Sequence, residues 1–146
     1  MKISTRTRYG TRLMIELGLR YGEGPVFLKD IARKEEISEK YLSQIIIPLK
    51  SAGLVTSFRG AHGGYTLLRS PQDITMKEVI EILESGIELV SCVEKPAECN
   101  RVSICISRGL WKELADTISE KLSGITLEDL VKRCRDRQEK AVMYTI

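Results

Sequence analysis

The stretch that decides the fold runs Ser38-Glu39-Lys40-Tyr41-Leu42-Ser43-Gln44-Ile45-Ile46-Ile47-Pro48-Leu49-Lys50-Ser51-Ala52-Gly53. Leu54-Val55-Thr56-Ser57-Phe58-Arg59-Gly60-Ala61-His62-Gly63-Gly64-Tyr65 follows directly. Leu42, Ile45, Ile46 and Leu49 recur at i, i+3, i+4 and i+7, the stripe of an amphipathic helix. Ser38 stands where its hydroxyl can accept from the open N–H groups of the first turn. Gly53 is the expected left-handed C-cap, and Pro48, with no N–H for the Gln44 carbonyl, predicts a kink. Residues 54–59 and 65–69 are β-prone and enclose a glycine-rich tip, the pattern of a hairpin.

Working toward the N-terminus, Glu35-Glu36-Ile37 is a tight connection from a shorter helix with Leu28, Ile31 and Ala32 inward. Before it, Tyr9, Leu13, Met14, Leu17, Gly18 and Tyr21 form the apolar face of a first helix, with Arg8, Arg12, Glu16 and Arg20 on another face. Gly22-Glu23-Gly24-Pro25 ends that helix. Toward the C-terminus, Thr75 and Glu78 make a capping box and Ile74 and Val79 a staple for a fourth helix reaching about Gly86. A cysteine-bearing loop follows. Trp111, Leu114, Ala115, Ile118 and Leu122 then mark a long fifth helix. Thr126 and Asp129 cap a last one, with Leu127, Leu130, Val131 and Cys134 on one face, Cys134 expected in the core, and a frayed end at 135–146. The fold expected is mostly α with a small β-hairpin wing: residues 1–86 a winged helix-turn-helix, 87–109 a cysteine-bearing sensor loop, 110–146 a dimerisation helix and C-terminal helix.

The 146 residues, 42% hydrophobic and 29% charged, suffice for a core without disulfides or metal. No apolar run is long enough for a membrane span and the start has no signal core, so a cytoplasmic protein is expected. The net charge of +3 is unevenly placed: residues 1–70 carry 12 Lys/Arg against 6 Asp/Glu, residues 71–146 carry 11 against 14. The basic half is the expected side for a polyanion.

In that half, Tyr41, Ser43 and Gln44 on the outer face of the third helix offer hydroxyl and amide groups to base edges or phosphates. Ser38 and Lys40 lie at its N-terminus, where backbone N–H groups favour a phosphate. Arg59, Gly60, His62, Gly63 and Gly64 form a second contact, the glycines allowing close backbone approach while Arg59 reaches a narrow groove; Arg69 flanks it. A lone histidine and the lack of a phosphate loop exclude a Ser/His/Asp enzyme and a nucleotide-binding one, so no enzyme is expected.

Cys92, Cys99 and Cys105 form C-x6-C-x5-C in a chain that needs no staple. Zinc sites pair their ligands more tightly, so the spacing favours an iron-sulfur cluster. A thiol redox switch, zinc and inert reduced thiols are the other readings.

The chain resembles the Rrf-type winged-helix regulators, the IscR-, NsrR- and CymR-like group, in its cysteine-bearing branch. Ile37 to Leu42 running to Ala52-Gly53-Leu54-Val55, then Arg59-Gly60 through Gly63-Gly64-Tyr65, then three cysteines before a long helix, carry the resemblance over nearly the whole chain. It implies a homodimeric transcriptional regulator, repressor or activator, on a palindromic double-stranded DNA operator. It also implies a cluster on Cys92, Cys99 and Cys105, 2Fe-2S in preference to 4Fe-4S, for iron-sulfur, redox or nitric oxide sensing. The fourth ligand departs from the family: Arg108 stands where one branch has histidine, and Arg8 lies near where another has aspartate. A guanidinium cannot ligate iron, which leaves Glu94, Glu98, Ser107 or an exogenous thiol. The rival of another class is a small electron-transfer or metal-carrier protein, which leaves the winged helix unexplained.

Overall fold

The first helix begins where Ser4 accepts the Thr7 N–H at 3.1 Å and runs Thr5–Leu19 (α1) in a computed structural model that describes residues 2–87 and 89–145. Leu13, Met14 and Leu17 of α1 are at most 1% exposed. Two sequence expectations fail here. Tyr21 lies beyond the helix and is 44% exposed. Glu16, expected on the charged face, is 3% exposed and paired with Lys34 of the next helix at 2.7 Å. A lysine reaching over from that next helix compensates the buried carboxylate, which period arithmetic on α1 cannot reveal.

α2 (Leu28–Glu35) ends at Glu36, whose left-handed φ of 54° turns the chain into Ile37 and Ser38. α3 (Glu39–Ser51) is capped by Ser38, runs on through Pro48, and buries Leu42, Ile45, Ile46 and Leu49. β1 (Val55–Phe58) and β2 (Gly64–Leu67) pair antiparallel in the register Val55 with Leu67 through Phe58 with Gly64. Val26 adds a bridge that the sequence did not announce: its N–H donates to the Tyr65 carbonyl at 2.9 Å, and the Tyr65 N–H donates back at 2.8 Å. The hairpin is thereby fastened to the segment before α2.

α4 (Met76–Glu84) is capped by Thr75, but only half of the expected box forms: Glu78 N–H donates to Thr75, while the Glu78 carboxylate turns to Arg69 at 2.5 Å. A short α5 (Ser91–Glu94) and a 3-10 turn at Pro96–Glu98 lead to α6 (Ile106–Ser123). α7 (Leu127–Thr145) carries the full box, Thr126 and Asp129 exchanging side-chain and backbone bonds. Two bonds of 2.8 Å, Met76 N–H to the Ile125 carbonyl and Leu127 N–H to the Ile74 carbonyl, bring α7 back beside the start of α4.

The core lies where α1, α3, α4 and the first turns of α7 meet. Leu13, Leu42, Leu49, Ile74, Val79, Leu127 and Val131 are fully buried there, each contributing about 1.5–3 kcal/mol relative to exposure. The core thus draws on residues from both sides of the cysteine segment. α1 can approach α7 because Gly18 has no side chain: a Cβ there would come within 2.7 Å of Val131 Cγ2. Two C-terminal expectations are corrected. Residues 135–145 are helical rather than frayed, Ile146 lying outside the described residues. Cys134 is half-buried at a cleft between α1 and α7 lined also by Arg12, Leu130 and Arg137.

Candidate nucleic-acid interface and cysteine segment

Because the stripe of α3 faces the core, the opposite arc, with Lys40, Ser43, Gln44 and Ile47, faces solvent. The predicted contact residues divide by what their side chains already do. Ser38 is exposed but its Oγ accepts the Tyr41 N–H at 3.4 Å as the cap. Ser43 donates its hydroxyl to the Glu39 carbonyl at 2.8 Å, so toward a base its oxygen is left to accept. Tyr41 is half-buried, its ring edge-on to Tyr9 of α1 at 5.9 Å and 82°. The Arg8 and Arg12 guanidiniums lie 5.9 and 5.5 Å from the centre of the Tyr9 ring, close enough for a cation–π attraction.

The arc is flanked on two sides. On one, a cleft of about 450 Å³ joins Glu39 and Ser43 of α3 to Ser57, Arg59 and Gly60 of the hairpin and to Lys29 of α2. On the other, a hollow of about 180 Å³ joins Tyr41 and Gln44 to Arg6 of α1. Arg6 and Lys29 are the basic residues that the sequence reading passed over. The signal was present for Arg6: residues 2–15 hold Lys2, Arg6, Arg8 and Arg12 and no acid.

The hairpin tip is shaped by its glycines. Gly60 and Gly64 have φ of 104° and 129°, where side chains are rarely tolerated. A Cβ on Gly64 would lie 2.5 Å from the Val26 carbonyl oxygen, and one on Gly63 would strike the Phe58 carbonyl. Arg59 and His62 are exposed at this tip. Arg69, expected to flank the contact, is held at the base of the hairpin by Glu78, and Lys50 of α3 donates to Ser57 of β1 at 2.6 Å.

The three loop cysteines sit on α5, after the 3-10 turn and at the N-cap of α6, and all are half-buried free thiols. Cys105 Sγ lies 3.2 Å from Ser107 Oγ. That hydrogen bond and the backbone N–H of Arg108 hold the Cys105 thiol below its ordinary range. Arg108 Nε donates to the Cys92 carbonyl at 3.0 Å, tying the first cysteine to the first turn of α6. The donors fit an iron-sulfur cluster in kind: three thiols within one short segment, none sealed in the core. Among the described residues no three His, Cys, Asp or Glu side chains are gathered to hold a metal ion in this conformation.

A basic helix arc flanked by a glycine-tipped hairpin, ahead of a cysteine segment and a long solvent-facing helix, is an arrangement with known counterparts. The family described as "Rrf2: Iron-dependent Transcriptional regulator" matches residues 3–133. The chain belongs to the Rrf2 family of transcriptional regulators. The HTH-type transcriptional regulator CymR of Bacillus subtilis is 44% identical over 146 residues, 99% of each chain. Its solved structure, described as that of the global cysteine regulator of B. subtilis, superposes with a TM-score of 0.74 over 91% of this chain and 98% of that one. IscR of T. potens is 38% identical, with a TM-score of 0.78 over 94% of this chain and 91% of that one. The oxidised form of Staphylococcus aureus CymR is 38% identical, with a TM-score of 0.71 over 90% and 96%. The Rrf2 fold is therefore a winged helix-turn-helix with a C-terminal helix, as expected, and the chain is a DNA-binding regulator rather than an enzyme or an electron carrier.

Proposed function

We propose that this Rrf2 regulator acts in the cytoplasm as a two-fold dimer on a palindromic operator. Its affinity is governed by an iron-sulfur cluster held by the thiolates of Cys92, Cys99 and Cys105. The observation that carries the reading is the position of the cysteines: they occupy the segment that leads from α4 of the winged-helix body into α6. When bound, a cluster supplies a centre that responds to iron supply, oxidants or nitric oxide. The family's description as iron-dependent and the likeness to IscR support this choice of ligand. Arg108, engaged with the Cys92 carbonyl, supplies no fourth ligand, so one iron depends on another side chain or an exogenous thiol.

α6 supports the dimer. None of its residues is buried, and Ile106, Leu110 and Leu114 are exposed alongside Trp111. A hollow of about 320 Å³ between Leu89, Val90, Trp111, Leu114 and Ile118 continues that apolar face. A row of large apolar side chains on one helix is satisfied by the same row of a second copy across a two-fold axis. Among the described residues no helix is long and apolar enough to cross a membrane, which leaves a lipid span out of account for that face.

The second reading keeps the DNA binding and makes the cysteines a thiol redox switch. Its support is the presence of three free thiols in this segment, none of them sealed in the core, and the likeness to a relative solved in an oxidised form. Anaerobic purification with iron and sulfide quantitation separates the two. The cluster reading requires iron, sulfide and broad visible absorption in the wild type, lost in Cys92→Ala, Cys99→Ala and Cys105→Ala and kept in Cys134→Ala. An iron-free anaerobic protein whose DNA affinity changes on oxidation assigns the switch instead.

A further inference from the structure

The solvent-facing arc of α3 is polar except at one position. Ile47 is 61% exposed, whereas Leu42, Ile45, Ile46 and Leu49 of the same helix are 2% exposed or less. Ile47 follows Ser43 by four residues and Gln44 by three, and precedes Lys50 by three, so all four share one face. Four residues advance the helix axis by about 6 Å, more than the roughly 3.4 Å between bases along a strand. Ile47 therefore addresses a different base step from Ser43. A single exposed apolar side chain on a surface needs no explanation in general. This one stands inside the arc that the Arg59 cleft and the Arg6 hollow flank, with Lys40 and Lys50 along it.

In the major groove the polar base edges are met by donors and acceptors, and the apolar feature is the 5-methyl group of thymine. We propose that Ile47 packs on a thymine methyl and so sets preference for thymine at one position of each operator half-site. This rests on the reading of α3 as the helix that enters the major groove. The chemistry is selective because cytosine, the other pyrimidine, lacks that methyl, and the sec-butyl group of isoleucine can make no hydrogen bond in compensation.

The test uses full-length protein and a duplex selected by the wild type from a randomised pool. Each thymine is replaced singly by deoxyuridine, which removes the methyl and leaves pairing intact. Affinity is measured at fixed salt for wild type, Ile47→Ala and Ile47→Val, with thermal melting to verify that the variants fold. One thymine in each half-site should lose about fourfold in wild-type affinity, the value of one buried methyl-sized group. Ile47→Ala should bind the unmodified duplex about as weakly and show no uracil penalty, while Ile47→Val keeps part of it. A selected duplex in which no uracil weakens wild type, or an undiminished penalty in Ile47→Ala, overturns the role of Ile47 alone. Failure of the wild type to select any sequence overturns the groove reading and this proposal together. Altered sedimentation of DNA-free Ile47→Ala would assign the residue to a protein contact and likewise overturn it.

Discussion

Gly64→Ala tests whether the hairpin is held by its seam with Val26. Two costs are legible. The residue has φ of 129°, beyond the left-handed helical region and sparsely populated by L side chains, at a cost on the order of 1–2 kcal/mol. The new Cβ would also meet the Val26 carbonyl oxygen at 2.5 Å and its carbon at 2.6 Å, backbone atoms that can yield only by opening the bridge. Its two hydrogen bonds, 2.9 and 2.8 Å, contribute about 1 kcal/mol each. The sum is about 3–4 kcal/mol, a loss of roughly 6–15 °C in melting temperature for a chain of this size. Gly60→Ala is the control, since Gly60 has φ of 104° and nothing within 4 Å of a Cβ, leaving only the conformational cost. Both variants are measured by thermal and urea unfolding, and by affinity for a fixed duplex. Equal destabilisation by the two substitutions would refute the seam; the expected larger loss with undiminished DNA affinity in Gly64→Ala would remove the hairpin's position from the binding argument.

Arg59→Ala should weaken DNA binding and reduce the slope of log affinity against log salt by about 0.9, one phosphate contact, in salt titrations; an unchanged slope removes Arg59 from the backbone. Leu114→Glu places a charge in the exposed face of α6 and should convert a dimer to a folded monomer in sedimentation, because Leu114 is 43% exposed in the single chain and unneeded by its core. Asp129 accepts from the Thr126 N–H and hydroxyl, which hold its carboxyl below the ordinary value. A depressed acid contributes stability that is complete above the unfolded value and lost as pH falls through the folded one. The advantage of wild type over Asp129→Asn should therefore shrink below about pH 4 in melting experiments, and a difference constant with pH would contradict it.

What could be read from the sequence was what depends on near neighbours. The stripe of α3, the caps Ser38 and Thr126 and the glycine tip all rest on spacings of three to five residues, and each formed. What could not be read depends on residues that meet across the fold. Glu16 shares a four-residue repeat with arginines, and only Lys34 on α2 makes its burial tolerable. The packing of Tyr41 on Tyr9 is invisible to local spacing because Tyr9 lies on another helix. Arg69 flanks the wing in sequence, yet Glu78 gives up half of its capping box to hold it. The helix at 135–145 had no apolar stripe to announce it. Its Arg, Gln, Glu, Lys and Ala content favours helix by intrinsic propensity, without burial. The cysteine site was legible as a set of donors, but not as a geometry.

The place of the cysteine segment decides how its chemistry can reach DNA. Upstream, the Glu84 carboxylate at the end of α4 accepts the Ser4 N–H at 2.8 Å, and α1, which Ser4 caps, carries Tyr9 against Tyr41 of α3. Downstream, Arg108 fastens the Cys92 turn to α6. A rearrangement of the segment could be passed to either side, and the costs differ. The upstream route runs through side chains with almost no exposure, Leu83 and Val79 of α4 and Leu13 and Leu42 beyond them. Close-packed interiors resist displacement because every shift opens voids or forces strain. The downstream route runs into a helix with no fully buried residue of its own, held to the body by its packing on α4 and by Leu122 near its C-terminal end, so reorienting it gives up less buried packing than moving α4. The cheaper response is a change in the direction of α6 relative to a body that stays intact. In a two-fold dimer joined through α6, that change alters the separation of the two α3 helices while leaving each recognition surface formed.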